Sequence, residues 1–369
     1  MWISWIFLPG VAVGCRVPKL PAHREFGSDG LPTTRSFPQE SVAMALSTLV
    51  LGSVNVDLVI HGSRLPAPGE TVLGGQFLQA AGGKGANQAV AAARAATGTV
   101  AFVGGVGDDP FGTQSHEGLA LEGLELSGLV TFPRTSTGIA LILVDSTGQN
   151  LISVASGANA RLTPDHVDAL PDELFAAARV FLTSLEIPLP TVRRGLERAR
   201  EEGLITILNP APANRGILEG DMLSLVDILT PNETELCQLA GEPGGEGTEG
   251  FLTAGASAAD DPSRWRAAAL KLRDRGCRTV IATLGPAGCL AVGDLEFHQS
   301  APLVRAVDAT AAGDAFNGAL AVALAEGQPL TAAVRFATAT AALSVTRAGA
   351  QPSLPRREEI EQALSHWTA

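Results

Sequence analysis

The chain has 369 residues, 46% hydrophobic and 17% charged, with 26 basic against 38 acidic side chains and a formal charge of -12. Such a composition is globular and long enough to bury a large core, which excludes a disordered chain and a small stapled scaffold. The acidity argues against a nucleic-acid or anionic-membrane partner, both of which need clustered Lys and Arg, but a local loop can still bind a small phosphate.

Residues 1–43 read differently from the rest. An apolar start with Trp2, Trp5, Ile6, Phe7 and Leu8 is followed by prolines up to Pro38 without helical or strand periodicity. A secretory signal needs basic charge before its apolar region, whereas the first basic side chain here is Arg16, and Glu25, Asp29 and Glu40 weaken a transit peptide. The expectation is an extension that is unstructured or mis-assigned, with Met44 the working start and residues 44–369 the folded domain.

Residues 48–54 are a short apolar run ending in Gly52-Ser53, as in a buried strand, which Asn55 and Asp57 then close with both side chains on one side. Segments with Gly and Pro over 58–77 suit short exposed strands and turns. A helix is expected over 86–95, a buried strand over 100–106 and its helix over 111–121. Residues 138–144 and 151–154 read as a hairpin, which with 58–77 would make a small second sheet able to act as a lid over an active site.

Strand and helix then alternate: 180–185 with 191–202, 205–208 with 218–225, a strand at 226–229, a helix over 265–275 and a strand over 280–284. This pattern predicts right-handed βαβ units and a mainly parallel sheet covered on both faces, an α/β fold. Residues 241–262 are rich in glycine and acids with no basic residue, which marks an exposed insertion. Cys15, Cys237, Cys277 and Cys289 form no CxxC pair, so reduced thiols in a cytoplasmic protein are expected. No uninterrupted apolar stretch reaches 18 residues, so no membrane span is expected.

Gly82-Gly83-Lys84-Gly85-Ala86-Asn87 sits where a loop enters a helix, with free amides and two polar side chains on one turn. Asp308-Ala309-Thr310-Ala311-Ala312-Gly313-Asp314 precedes an apolar helix over 315–326, and its small residues leave N–H groups pointing outward as an anion hole. Asp314 there could cap the helix or deprotonate an attacking hydroxyl. Thr283-Leu284-Gly285-Pro286-Ala287-Gly288 ends a strand and suits either a turn or a nucleotide loop. Asn232 and Glu235 share a helix face that is either solvated or organises water around magnesium, while Asn55 and Asp57 are turn formers or sugar ligands.

Taken together, these motifs resemble the ribokinase family, the phosphofructokinase-B type of sugar kinases, from about Leu49 onward. The resemblance also rests on Pro68-Gly69-Glu70-Thr71, Gln88-Ala89, Asn209-Pro210-Ala211-Pro212-Ala213, Phe316-Asn317-Gly318 and Gly349-Ala350-Gln351-Pro352-Ser353. Ala309 and Ala311 stand where the family's DTxGAGD pattern has Thr and Gly. The resemblance implies a three-layer α/β/α sandwich with a small β-sheet lid, and ATP-dependent phosphorylation of the 5-hydroxyl of D-ribose.

It further implies that Asp314 is the base, with the amides of Ala311, Ala312, Gly313 and Asp314 stabilising the transferring phosphoryl group. Asn55, Asp57, Gly83, Lys84, Asn87 and Glu186 would hold the sugar. Asn232, Thr283, Leu284, Gly285, Pro286, Ala287, Gly288, Gly313 and Thr338 would lie along the nucleotide, with Glu235 in the magnesium water network. A monovalent cation, potassium, would sit among Asp308, Thr310, Ser344, Arg347, Gly349 and Ser353, and lid strands would pair two subunits into a homodimer. Deoxyribose, fructose or a nucleoside would keep the chemistry and change the substrate. A non-catalytic sensor would show a damaged base or anion hole, and neither is damaged here.

Overall fold

Alternation of apolar side chains along β1 (Leu46–Leu51) sets the architecture. Leu49 and Leu51 join one hydrophobic core and Val50 joins a second on the opposite face of the sheet. Strands β8 (Val180–Ser184) and β11 (Thr279–Thr283) divide the same way, Phe181 against Leu182 and Val280 against Ile281. A sheet buried on both faces needs helices on both, and the computed structural model, which describes residues 46–242 and 262–367, has them.

One layer holds α3 (Pro164–Asp168), α4 (Asp172–Ala176), α5 (Leu189–Glu201), α6 (Glu233–Ala240) and α7 (Pro262–Arg273). The other holds α1 (Lys84–Ala95), α2 (Pro110–Leu121), α8 (Ala312–Ala325), α9 (Leu330–Ser344) and α10 (Arg357–His366). Between them, β4 (Thr99–Gly107), β5 (Glu125–Phe132), β9 (Ile205–Asn209), β10 (Ile228–Leu229), β12 (Cys289–Val292) and β13 (Phe297–Gln299) complete the sheet in the order β13-β12-β11-β10-β9-β8-β1-β4-β5. Pairing is parallel from β11 to β5 and antiparallel only at β12 and β13. This is the expected α/β sandwich with a mainly parallel sheet.

A second sheet, ordered β3-β2-β6-β7, is formed by β2 (Asn55–His61), β3 (Gln76–Gly82), β6 (Gly138–Val144) and β7 (Asn150–Ala155). Here the sequence expectations need correction. Asn55 and Asp57 do not close β1; they open β2, because Asn55 pairs with both Gly82 and Gly138. Only the ends of the 58–77 segment are strand, since its middle carries Pro66 and Pro68, which cannot donate to a ladder, and Gly69, Gly74 and Gly75 at positive φ. The expected helix over 218–225 is two 3-10 turns, Arg215–Leu218 and Met222–Leu225, interrupted at Gly220 with φ 63°.

The expected extension over 1–43 lies outside the described residues, as does the insertion over 241–262 apart from Gly241, Glu242 and the start of α7. Among the described residues no helix is long and apolar enough to cross a membrane.

Candidate active site

Helix α8 begins on a left-handed residue: Ala311 has φ 61°. The turn spends the Ala312 amide on Ala309 O at 3.2 Å, so this amide is not a free donor as expected. Among the described residues the N–H groups of Gly313 and Asp314 find no acceptor, and both residues line a cavity of about 190 Å³. Left-handed geometry strains an alanine by about 1 kcal/mol relative to glycine. Ala311→Gly should therefore raise the stability seen in urea unfolding by about 1 kcal/mol, and Ala311→Val should lower it.

Asp314 is buried on the first turn of α8. Helix α1 crosses α8 closely enough that a Cβ on Gly318 would come within 2.5 Å of Gln88 O and 2.7 Å of Ala91 Cβ. That approach delivers two amides to the carboxylate: Asn87 Nδ2 donates to Asp314 Oδ2 and Gln88 Nε2 to Oδ1, each at 3.0 Å. Burial pushes the Asp314 carboxyl above its usual range; Lys84 and the two amides pull it back, and Glu186 adds to the rise.

Glycine at position 83 is required twice over. Its φ is 88°, and a Cβ would stand 2.6 Å from Asn55 N. The close approach lets Glu186 Oε2 reach the start of α1, accepting from Lys84 N at 3.0 Å and from Ser53 Oγ at 2.6 Å. Asn55 Nδ2 lies 3.5 Å from the same oxygen. Asn159, on a 3-10 turn, holds this corner by accepting from Val54 N and donating to Val54 O and Asn55 Oδ1.

Burial alone would lower the Lys84 ammonium, but Asp314, Glu186 and Glu235 outweigh it and hold it above its usual value. Asp57 receives no hydrogen bond among the described residues; burial first, then Glu186 and Asp314, push its carboxyl up to about 6. Asn55, Asn159 and Glu186 also line a second space of about 390 Å³.

Across the first cavity, Asn232 caps α6 and Glu235 answers it: Asn232 Oδ1 accepts from Glu235 N at 2.8 Å and Glu235 Oε2 from Asn232 N at 2.9 Å. Burial raises the Glu235 carboxyl, with Asn232 and Lys84 opposing. Thr283 pairs with Asn232, and Gly285–Ala287 turns at φ 51° into Gly288 at φ 92°, closed by Leu284 N on Gly288 O. The side chain of Leu284 is in the core, so it offers only backbone here; Pro286 is exposed. Thr338 is not brought to this cavity, being buried in α9 with Oγ1 on Val334 O.

Of the expected cation residues, Thr310 and Gly349 are tied to the Asp308 carboxylate. Asp308 Oδ1 accepts from Thr310 N and Oγ1, and Oδ2 from Gly349 N at 2.8 Å. Burial would raise that carboxyl, yet these bonds and His61 hold it low. Ser344 and Ser353 are buried with their hydroxyls on Ala341 O and Ala350 O, while Arg347 pairs with Glu359. No group of three or more His, Cys, Asp or Glu gathers as a metal cluster among the described residues.

Asn159, Gln88, Asn209 and Asn317 are site residues that sequence reasoning gave no role. The last three lie inside quoted motifs, so their positions were visible; Asn159 lies 105 residues from its partner Val54 and carried no local signal.

The arrangement is a buried carboxylate, free helix amides and one ammonium at the wall of one cavity. The profile of the pfkB family carbohydrate kinase matches residues 45–357. A ribokinase of Haemophilus influenzae is 39% identical over 88% of this chain and 100% of its own length. A deoxyribokinase of Salmonella typhimurium is 36% identical over 86% of this chain and 98% of its own. The crystal structure of Arabidopsis thaliana ribokinase complexed with ribose and ATP superposes with a TM-score of 0.74 at 33% identity, covering 87% of this chain and 99% of that one.

Proposed function

The chain belongs to the pfkB family of carbohydrate kinases, ATP-dependent enzymes, and from that premise we propose that its substrate is D-ribose, phosphorylated at the 5-hydroxyl. Asp314 carries the reading, as a buried carboxylate beside unspent amides of its own helix and within the field of Lys84. Phosphoryl transfer is mainly positioning and charge stabilisation. Asp314 takes the hydroxyl proton, the amides of Gly313 and Asp314 face the charge that builds on the transferring group, and Ala311 and Ala312 keep the loop small enough for its approach.

Asp57 supports a sugar with adjacent hydroxyls, because an unpartnered carboxylate can accept from two donors and ribose supplies them. Asn55, Gly83, Lys84 and Glu186 form the rest of that wall, and Asn87 stands behind it with Nδ2 on Asp314 and a buried, unpartnered Oδ1. The nucleotide lies along Asn232 and the backbone of 283–288, with Thr338 behind that wall rather than in it.

Glu235 fits a hydrated magnesium ion, since Oε1 keeps no partner among the described residues at the cavity wall. When bound, that ion supplies charge for the phosphates. The loops at 308–310 and 349–353, tied by Asp308, fit a potassium ion held by carbonyls of these and neighbouring turns.

The second sheet is apolar on both sides. Val59, Leu78, Ile142 and Ile152 align on the face of Asp57, while Ile60, Phe77, Leu143 and Leu151 align on the other. Phe77 is 66% exposed and Ile152 57%. Such a sheet favours closing as a lid with one face and pairing a second subunit with the other. Buried Cys237, Cys277 and Cys289 suit a reducing cytoplasm.

The deoxyribokinase relative favours 2-deoxyribose as the second reading. A kinetic sugar panel, run with and without potassium, separates the two: ribose should give the highest kcat/KM and potassium should raise it. A higher value for deoxyribose would reverse the order. Titration adds a sharper test. Asp57 is ionised at pH 8 and protonates as pH falls through about 6, losing acceptor capacity. Ribose binding measured by calorimetry should weaken roughly tenfold per pH unit below that point, and be flat in Asp57→Asn. A flat profile in the unmutated protein contradicts the assignment.

A further inference from the structure

Gln88 is wholly buried on α1, beside Asn87. Its Nε2 donates twice, to Asp314 Oδ1 at 3.0 Å and to Asn209 Oδ1 at 3.1 Å. Asn209 Nδ2 continues to the carbonyl of Thr230 at 2.9 Å. A carbonyl can only accept, so the nitrogen of Asn209 must face Thr230 and its oxygen must face Gln88. Gln88 is thereby left one orientation, nitrogen forward, with its second N–H aimed at the carboxylate. Its Oε1 is left without a partner among the described residues, a cost that packing alone would not select.

Thr230 also starts a second chain. Its Oγ1 donates to Asn317 Oδ1 at 2.6 Å, and Asn317 Nδ2 donates to Gly313 O at 2.8 Å. The same fixed carbonyl-bearing residue thus orients the carboxylate through Gln88 and the small-residue turn through Asn317.

We propose that Gln88 is a positioning residue for the reaction, holding the plane of the Asp314 carboxylate against the Gly313 amide through a one-way chain of buried amides anchored at Thr230. The proposal rests on the reading of Asp314 as the base. Besides Gln88 and Asn87, that carboxylate faces Lys84 from α1, Asp57 from β2, Glu186 after β8 and Glu235 from α6. A donated hydrogen bond favours its ionised form; without it, burial and three carboxylates act against Lys84 and Asn87 alone.

Gln88→Met should lower kcat roughly 10- to 100-fold, leave the KM values for ribose and ATP near normal, and move the acid limb of the kcat profile to higher pH. Asn209→Leu leaves Gln88 in place but frees its orientation, and should shift the limb in the same direction by less. A lower kcat with an unmoved limb, or a loss confined to KM, would overturn the proposal, as would failure of both variants to fold, which would assign the chain to the core. Asp314→Asn in the same assay separates the two readings: near-normal turnover there removes the base itself, whereas a dead Asp314→Asn with an unmoved limb in Gln88→Met removes only the role of Gln88.

Discussion

Asp314→Asn should lower kcat by about 10³-fold, within the range for loss of a general base, while ribose and nucleotide still bind. The replacement is nearly isosteric, and the new amide nitrogen can face Asn87, whose Oδ1 is unpartnered and can turn to accept it. The variant should also be more stable than the parent at pH 8. The folded-state pKa of Asp314 lies above its unfolded value, so its contribution is fully present below the unfolded pKa and is lost as pH rises through the folded one. Asparagine carries no such burden, so the gain should be seen at pH 8 and vanish in acid, where the parent carboxyl is protonated in both states. Urea unfolding at the two pH values checks this, and a destabilised variant at pH 8 would contradict the account of burial. A site that gains stability when its charge is removed is one where function is held at a cost to folding.

Lys84→Met carries the other large effect. The ammonium is buried in the field of Asp314, Glu186 and Glu235, and it holds down the carboxyls of both Asp314 and Glu235. Its loss should reduce kcat/KM by about 10²- to 10³-fold, as for removal of a positioned charge from a transition state. The Asp314 and Glu235 carboxyls, which Lys84 holds down, would then rise further, which moves the acid limb of activity upward. Stability follows with the sign of raised acids: the penalty should be smaller at pH 5 than at pH 8, because raised carboxyls such as those of Asp314 and Glu235 take up protons before ordinary ones as pH falls. Equal losses at both values would show that Lys84 acts only through packing.

How far the sequence revealed this site depends on whether each residue carried a local pattern. Asp314 stood at the entry to an apolar helix after small residues, and Gly82 to Asn87 stood at a loop-to-helix junction, so both were legible as anion or ligand sites before any fold was known. The large sheet was legible too, because strands such as 100–106 and 180–184 are continuous apolar runs buried on both faces. Helix α9 escaped notice because it is rich in Ala and Thr and buried on most sides, which leaves little period to read. Asn55 was assigned to the wrong strand because the chain leaves β1 at Gly52, whose amide donates to Val103 O, and only pairing with Gly82 and Gly138 reveals where the next strand starts. Gln88 lay in plain view beside Asn87, yet its role needs Gly318 to bring α8 within reach, a contact between positions 230 residues apart. Contacts of that kind are set by packing, not by local pattern.

The central claim is phosphoryl transfer from ATP to the 5-hydroxyl of ribose, and phosphorus NMR of the product reads it directly. Incubation with ATP, magnesium, potassium and D-ribose should yield one new phosphomonoester whose signal is split by the two protons of a methylene group, and Asp314→Asn should yield none at matched times. A product split by a single anomeric proton, or ADP release with no sugar phosphate at all, would contradict the account.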